Sequence, residues 1–405
     1  MPDTIANAGL KHLALEGGTP VRDNVLPYGR QSITEDDISA VADVLRSDWL
    51  TTGPKVAEFE EAFAKVAGTD HAVAVSNGTA ALHAAMAALE IGPGDEVVVT
   101  PMTFAASVNA VLYQGGTPVF ADVEPDTLLL DPAAVESKVT DRTRAVIAVD
   151  YAGQPCDYDA LRVVTDAHGL ALHDDACHAV GGSYRGRPVG SLADMSTFSF
   201  HPVKHMTSGE GGMITTDDTE LAQKMRVFRN HGITTDHRQR AASGAFFYEM
   251  VSLGYNYRLT DIQSALGLNQ LSRLSAWVER RQAIARRYDA AFAANPAVTP
   301  LVVRDYAQHA YHLYMVQFDL DQLVVDRARV FDALRAEGIG ANVHYVPVHL
   351  HPYYREVFGT GPGQCPVAEA AYERLVTLPI FPGMEDSDVD DVVGAVAKVT
   401  AAYSK

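Results

Sequence analysis

The sequence predicts an α/β fold: a large domain with a mainly parallel seven-stranded sheet, followed by a smaller α+β C-terminal domain. Three observations predict it. Seven short apolar or β-branched runs, at 72–75, 97–100, 118–121, 145–149, 170–173, 196–200 and 213–216, are separated by helical patterns such as 79–89 and 103–113. Several runs are apolar throughout, as strands covered on both faces are, and strands alternating with helices build a parallel sheet. A long helical pattern from 260 to about 291 then connects to a differently patterned tail. Finally, 405 residues exceed what one hydrophobic core ordinarily serves, so the expected division is 1–275, including an N-terminal arm, and 276–405.

Taken in order, Thr34 is an N-cap, with Glu35 to Asp37 in the first turn and Ile38, Val41, Val44 and Leu45 at helical spacing. A second amphipathic helix starts near Pro54 and places Val56, Phe59, Phe63 and Val66 on one face. The seven strand-like runs follow. In the tail, 311–320 and 341–346 read as strands, and 326–337 and 366–375 as helices. No internal repeat or low-complexity tract interrupts this.

Composition excludes several function classes. A net charge of −19 argues against nucleic acid or an anionic membrane as the main partner, because both require a basic face. An anionic small molecule remains compatible if cationic groups are focused locally. Cys156, Cys177 and Cys365 form no CxxC pair and suggest neither a disulfide framework nor a zinc site, which fits a reducing cytoplasm. The first residues hold no uninterrupted apolar core, and no run of 18 apolar residues occurs, so a soluble, unprocessed chain is expected.

Three motifs carry chemistry. SNGTAA at 76–81 lies between a strand and a helix; Gly78 allows a tight turn, and the N–H groups of Thr79 and Ala80, the helix dipole and the Thr79 hydroxyl suit a phosphate. The same triplet is also ordinary turn and capping chemistry. HDDACH at 173–178 ends another strand, where ligands of doubly wound sheets sit. Either Asp174 or Asp175 there suits a protonated pyridine nitrogen, or caps a turn; the adjacent Cys177 and His178 lack partners spaced for zinc, so no metal is expected. Third, STFSFHPVKHMTSGEGG at 196–212 places Lys204 among Phe198, Phe200, Pro202 and Val203. On a strand reaching this point Ser199 stands opposite the two phenylalanines, free to add a hydroxyl to a phosphate cup. An amine able to form a Schiff base and a carboxylate able to hold a pyridinium are the two ends of a pyridoxal phosphate (PLP) site.

With these motifs the chain resembles the sugar aminotransferases of the DegT/DnrJ/EryC1/StrS group, PLP enzymes of the aspartate aminotransferase-like fold type I. The resemblance runs from LPYGR at 26–30 through LRSDWLTTG at 45–53, SNGTAALH, DDACHAVGG and FSFHPVKHMTSGEGG to GYNYRLTDI at 254–262. It implies Lys204 as the Schiff-base lysine and Asp175 as the partner of the ring nitrogen. It implies Gly78, Thr79 and Ser199 around the phosphate, Asn256 reaching that phosphate from a neighbouring subunit, and Phe104 stacked on the ring. Because the site is shared, it implies a homodimer. Family members often carry Glu-Asp where this chain has Asp174-Asp175, which leaves the choice of carboxylate open.

Within the group, SDWLTTGP, FSFHPVK, GYNYRLTDIQSALGL and HYVPVH at 344–349 are most similar to the UDP-sugar 4-aminotransferases of pseudaminic acid biosynthesis. That similarity implies L-glutamate as donor and UDP-2-acetamido-2,6-dideoxy-β-L-arabino-hexos-4-ulose as acceptor. His178, which also borders the cofactor, Tyr28, Tyr257, Arg258 and His344 are the candidate sugar-nucleotide contacts. Arg258 suits a diphosphate or, alternatively, a salt bridge to Asp261; His344 is equally readable as a satisfied core histidine. Alternative acceptors are a dTDP-4-keto-6-deoxy sugar or a UDP-4-keto-pentose. A PLP-fold dehydratase would replace the lysine with histidine, and a non-catalytic regulator would lack Lys204, Asp175 or Gly78; all three are present.

Overall fold

The computed structural model describes residues 12–235, 244 and 246–405. The expectation that no leader precedes the fold rests on the first residues and so falls largely on 1–11, outside the described residues. The chain opens with helices α1 (Glu35–Arg46) and α2 (Pro54–Ala67). Thr34 caps α1 in a full capping box with Asp37, and Gly53-Pro54 begins α2. There follow β1 (His71–Val75), α3 (Gly78–Ala88), β2 (Glu96–Val99), α4 (Ala105–Tyr113), β3 (Thr117–Phe120) and β4 (Thr143–Val149). After them come α5 (Tyr158–His168), β5 (Ala171–Asp175), β6 (Met195–Ser199), β7 (Gly212–Thr216) and α6 (Thr219–Phe228).

All seven predicted strands join one sheet in the order β1-β7-β6-β5-β4-β2-β3. It is parallel except at β7, which runs antiparallel to both β1 and β6. Helices cover both faces, so Val73, Val98, Ile147 and Leu172 are fully buried. The parallel strands end on one side, and that edge holds the site described below.

The expected single connector helix is two helices, α7 (Asp261–Leu271) and α8 (Leu274–Phe292). The break at Ser272-Arg273 has a physical reason: the segments bury different faces. Gly267 of α7 meets the Phe59 ring so closely that a Cβ would lie 2.7 Å from it, whereas α8 packs on the C-terminal helix. Arg273 at the break turns to Asp37 Oδ1, 2.5 Å away.

A second, antiparallel sheet joins β8 (Val298–Pro300), β9 (Tyr314–Phe318) and β10 (Leu375–Leu378). Of the strand expected at 341–346 only one bridge, Asn342 to Thr377, forms, and the helix expected to reach 375 ends at Tyr372 because 375–378 pairs with β9. The helix α9 (Arg327–Ala336) takes Asp326 as its cap, and α10 (Asp386–Tyr403) closes the chain. Leu13 and Leu26 pack into this second core, where Glu337 accepts the N–H groups of Ala14 and Val21 and the buried Lys398 ammonium, 2.8 Å away. Among the described residues no helix is long and apolar enough to cross a membrane.

Candidate active site

A cavity of about 1020 Å³ opens at the carboxyl edge of the large sheet. Segments that follow β1, β2, β5 and β6 line one side of it, and Tyr28, His312 and 342–345 line the other. Gly78, Thr79, Ala80, Phe104, Asp175, His178, Ser199, Lys204, Tyr28, Tyr257 and His344 all border it. Two predicted contacts, Asn256 and Arg258, do not.

At one end β1 turns into α3. Asn77 caps the helix, its Oδ1 accepting from Ala80 N at 2.8 Å. Ala80's N–H is therefore not free for a ligand, as the sequence had suggested; the first-turn N–H groups of Gly78 and Thr79 are the ones without a carbonyl one turn below. A Cβ on residue 78 would lie 2.9 Å from Ser199 Cβ, so only glycine lets the helix start close on the end of β6. There Phe198 and Phe200 point into the core against Phe63, which leaves Ser199 on the cavity side, as strand alternation requires.

At the opposite end stands Asp175. Its Oδ2 accepts from Ser107 Oγ at 2.6 Å and its Oδ1 from Cys177 N at 3.2 Å. Ser107 in turn shares a 2.6 Å hydrogen bond with Thr103. Asp174, one residue earlier, points to the other face of the sheet and does not border the cavity, so Asp175 is the carboxylate of the pair on the cavity side.

Lys204 lies between. Its Nζ is 3.4 Å from His312 Nε2, and burial lowers the amine below its ordinary value against the opposing pull of Cys177 and Asp175. His178 Nε2 is 3.2 Å from the Tyr345 hydroxyl, and its ring centroid is 4.4 Å from that of His312. Burial holds His178 well below an ordinary imidazole, and lowers His344 to about 4. His344 bonds Thr377 Oγ1 at 2.8 Å through Nδ1 and Asn342 at 3.3 Å through Nε2, while Tyr28 packs on it with centroids 5.1 Å apart.

Tyr257 is pinned through its carbonyl to Ser76 N at 2.8 Å and through its hydroxyl to His83 Nδ1 at 3.0 Å. Because 255–257 is extended, Tyr255 and Tyr257 face the cavity and Asn256 does not; Asn256 is exposed and bridges Asn230. Arg258 donates to Asn230 Oδ1 at 3.0 Å; the alternative salt bridge to Asp261 does not form, because Asp261 instead binds the N–H groups of Gly53 and Lys55. Sequence reading missed Ser107, His312 and Tyr345. Each is distant in sequence from the partner it meets, and no local spacing marks it.

The residues fit PLP. An amine of lowered basicity, a carboxylate accepting at both oxygens, and a helix start whose side-chain space residue 78 leaves empty are arranged around one cavity, and the buried His178 Nδ1 has no protein partner. Among the described residues no group of three or more His, Cys, Asp or Glu could hold a metal ion.

A sequence model of the DegT/DnrJ/EryC1/StrS aminotransferase family matches residues 31–397. The spore coat polysaccharide biosynthesis protein SpsC of Bacillus subtilis is 45% identical over 380 residues, covering 93% of this chain and 98% of that one. The PLP form of Spr1654, a putative sugar aminotransferase of Streptococcus pneumoniae, superposes with a TM-score of 0.87 at 34% identity, over 93% of this chain and 98% of the other. Helicobacter pylori PseC, an aminotransferase of pseudaminic acid biosynthesis, gives a TM-score of 0.87 at 32% identity over 94% and 100% of the two chains.

Proposed function

The chain belongs to the DegT/DnrJ/EryC1/StrS aminotransferase family, and on that premise we propose that it moves the amino group of L-glutamate to C4 of a nucleotide-linked 4-keto-6-deoxy sugar, UDP-2-acetamido-2,6-dideoxy-β-L-arabino-hexos-4-ulose. It is a PLP-dependent sugar aminotransferase with fold type I. The observation that carries the reading is the single cavity joining Lys204, Asp175 and the start of α3, large enough for a cofactor beside a sugar nucleotide. The pseudaminic acid assignment is supported by the likeness to PseC and by the HYVPVH segment, whose His344 and Tyr345 border the cavity.

When bound, the cofactor acts as the electron sink that makes the α-hydrogen of an amine acidic. In the proposal Asp175, steadied by Ser107, holds the ring nitrogen. Gly78, Thr79 and Ser199 hold the phosphate and Phe104 covers the ring. Lys204 takes the proton from the donor α-carbon and, in the second half-reaction, delivers a proton to the sugar C4; its lowered basicity suits both directions. His178, His344 and Tyr28 form the neutral wall against the sugar, where an uncharged imidazole donates or accepts without repelling the amine.

The proposed active unit is a homodimer in which Asn256 and Arg258 serve the neighbouring site. Their absence from their own cavity supports this, as do the exposed Ile38, Leu45, Trp49 and Leu50 of α1 and the segment after it. The three free cysteines accord with a cytoplasmic enzyme.

The test starts from enzyme converted to its pyridoxamine form with glutamate and freed of excess donor. Addition of the UDP-4-keto sugar should restore the original absorbance and yield an amino sugar by mass spectrometry, and Lys204→Ala should do neither. Glutamate conversion without a response to this sugar, but with a response to a dTDP-4-keto sugar, would move the assignment to the other nucleotide.

A further inference from the structure

We propose that His312 is a positioning residue for the lysine: its Nε2 accepts a hydrogen from Lys204 Nζ whenever that amine is free, and so keeps it at the reacting side of the cavity. The inference rests on the reading of Lys204 given above. A free lysine amine on a four-carbon stem spreads over many rotamers, and a fixed acceptor narrows them toward the one that reacts.

The geometry singles out His312. Its Nε2 is 3.4 Å from Nζ, within reach of a hydrogen bond, and its Nδ1 is buried with no protein partner among the described residues. The groups facing the ring are the His178 ring at 4.4 Å, the His205 ring at 5.8 Å, Lys204, and Arg281, which donates to its carbonyl. All are cationic or neutral. Burial first, and then these neighbours, hold the imidazole well below its ordinary value. A neutral ring facing an amine accepts through Nε2 and carries its own hydrogen on Nδ1.

The fold fixes this ring from three sides. Ala310 N donates to Gly153 O at 2.8 Å and Leu313 N to Ala152 O at 3.1 Å, clamping 310–313 to the loop after β4. The clamp needs glycine: at φ +110° a Cβ on Gly153 would lie 2.9 Å from the N atoms of Tyr311 and His312 and 2.7 Å from His178 O. The buried Arg281 of α8 binds Tyr311 O at 3.0 Å and His312 O at 3.3 Å. Finally His205, the residue after Lys204, donates through Nε2 to Ala310 O at 2.9 Å, so the lysine segment and the His312 segment are tied directly to one another.

The experiment compares wild type, His312→Leu, His312→Gln and Lys204→Ala as holoenzymes. Two quantities are read: the single-turnover rate with glutamate as a function of pH, and the pH dependence of acetylation of Lys204 by acetic anhydride in the pyridoxamine form, followed by mass spectrometry. His312→Leu should slow the single turnover up to about tenfold with glutamate saturation unchanged, the loss expected for one ordinary hydrogen bond. It should also move the acetylation midpoint to lower pH, because a neutral imidazole binds ammonium more strongly than amine. His312→Gln, whose Oε1 accepts, should restore most of both. Wild-type behaviour in both variants, or equal slowing in both with an unmoved midpoint, overturns the proposal. Turnover by Lys204→Ala would instead overturn the reading of the lysine itself, on which the inference depends.

Discussion

Asp174 and Asp175 are neighbours on β5, yet the two faces of the sheet treat them oppositely. On the cavity side both oxygens of Asp175 accept hydrogen bonds, from Ser107 and from the Cys177 N–H. On the far side Asp174 is fully buried and neither oxygen has a protein partner among the described residues; the Tyr158 and Ser196 hydroxyls temper its environment without reaching hydrogen-bond geometry. Burial pushes Asp174 up to about 7, and Asp150, two residues beyond the strand position facing it, is also raised by burial and by Asp174. Asp150 keeps one oxygen for Cys156 N and the Tyr158 hydroxyl, both at 2.9 Å, and leaves the other unpartnered. Burial without donors at hydrogen-bond distance favours the protonated form of a carboxyl, as at Asp174.

Three substitutions break or sharpen that contrast. The largest effect is expected for Asp175→Asn, which removes the carboxylate proposed to face the ring nitrogen. Loss of one partner of a buried pair costs about 3–5 kcal/mol, on the order of 10²–10⁴ in kcat/KM. Steady-state kinetics with saturating cofactor measure it, and a loss below tenfold would reject the assigned role.

Asp174→Asn should leave activity nearly unchanged and alter the pH dependence of stability. With its folded pKa raised, Asp174 keeps a proton that the unfolded chain releases above pH 4, so the native protein loses stability as pH climbs from about 4 to about 7. The contribution is at most of the order of 4 kcal/mol. Urea unfolding between pH 5 and pH 8 should show a shallower decline in the Asp174→Asn variant, and an unchanged slope would mean that the proton resides elsewhere.

The smallest effect belongs to Ser107→Ala. It removes one donor from Asp175 Oδ2 and costs about 1 kcal/mol, roughly a fivefold rise in the cofactor dissociation constant. Equilibrium dialysis of the cofactor reads it, and the same substitution should leave the pH profile of unfolding untouched.

The strands, the capped helices and the three motifs were legible because each is a local pattern: apolar runs for strands buried on both faces, Thr34 before an acidic first turn, Asn77-Gly78 at the start of α3. Lys204, the Asp174-Asp175 pair, Gly78, Thr79 and Ser199 came with them as candidates, since strand alternation and the carboxyl edge of a parallel sheet narrow which residues face a ligand. The tertiary structure alone decided the rest. It divided the connector at Ser272-Arg273, because α7 and α8 bury against different partners, and it gave Ala80's N–H to Asn77. It set Asp175 apart from Asp174 by supplying Ser107 from a helix 68 positions away, and brought His312 to Lys204 across 108. Local patterns follow from short-range sterics and solvent; which distant side chain supplies a donor to a buried group depends on packing, and packing exists only once the chain has folded.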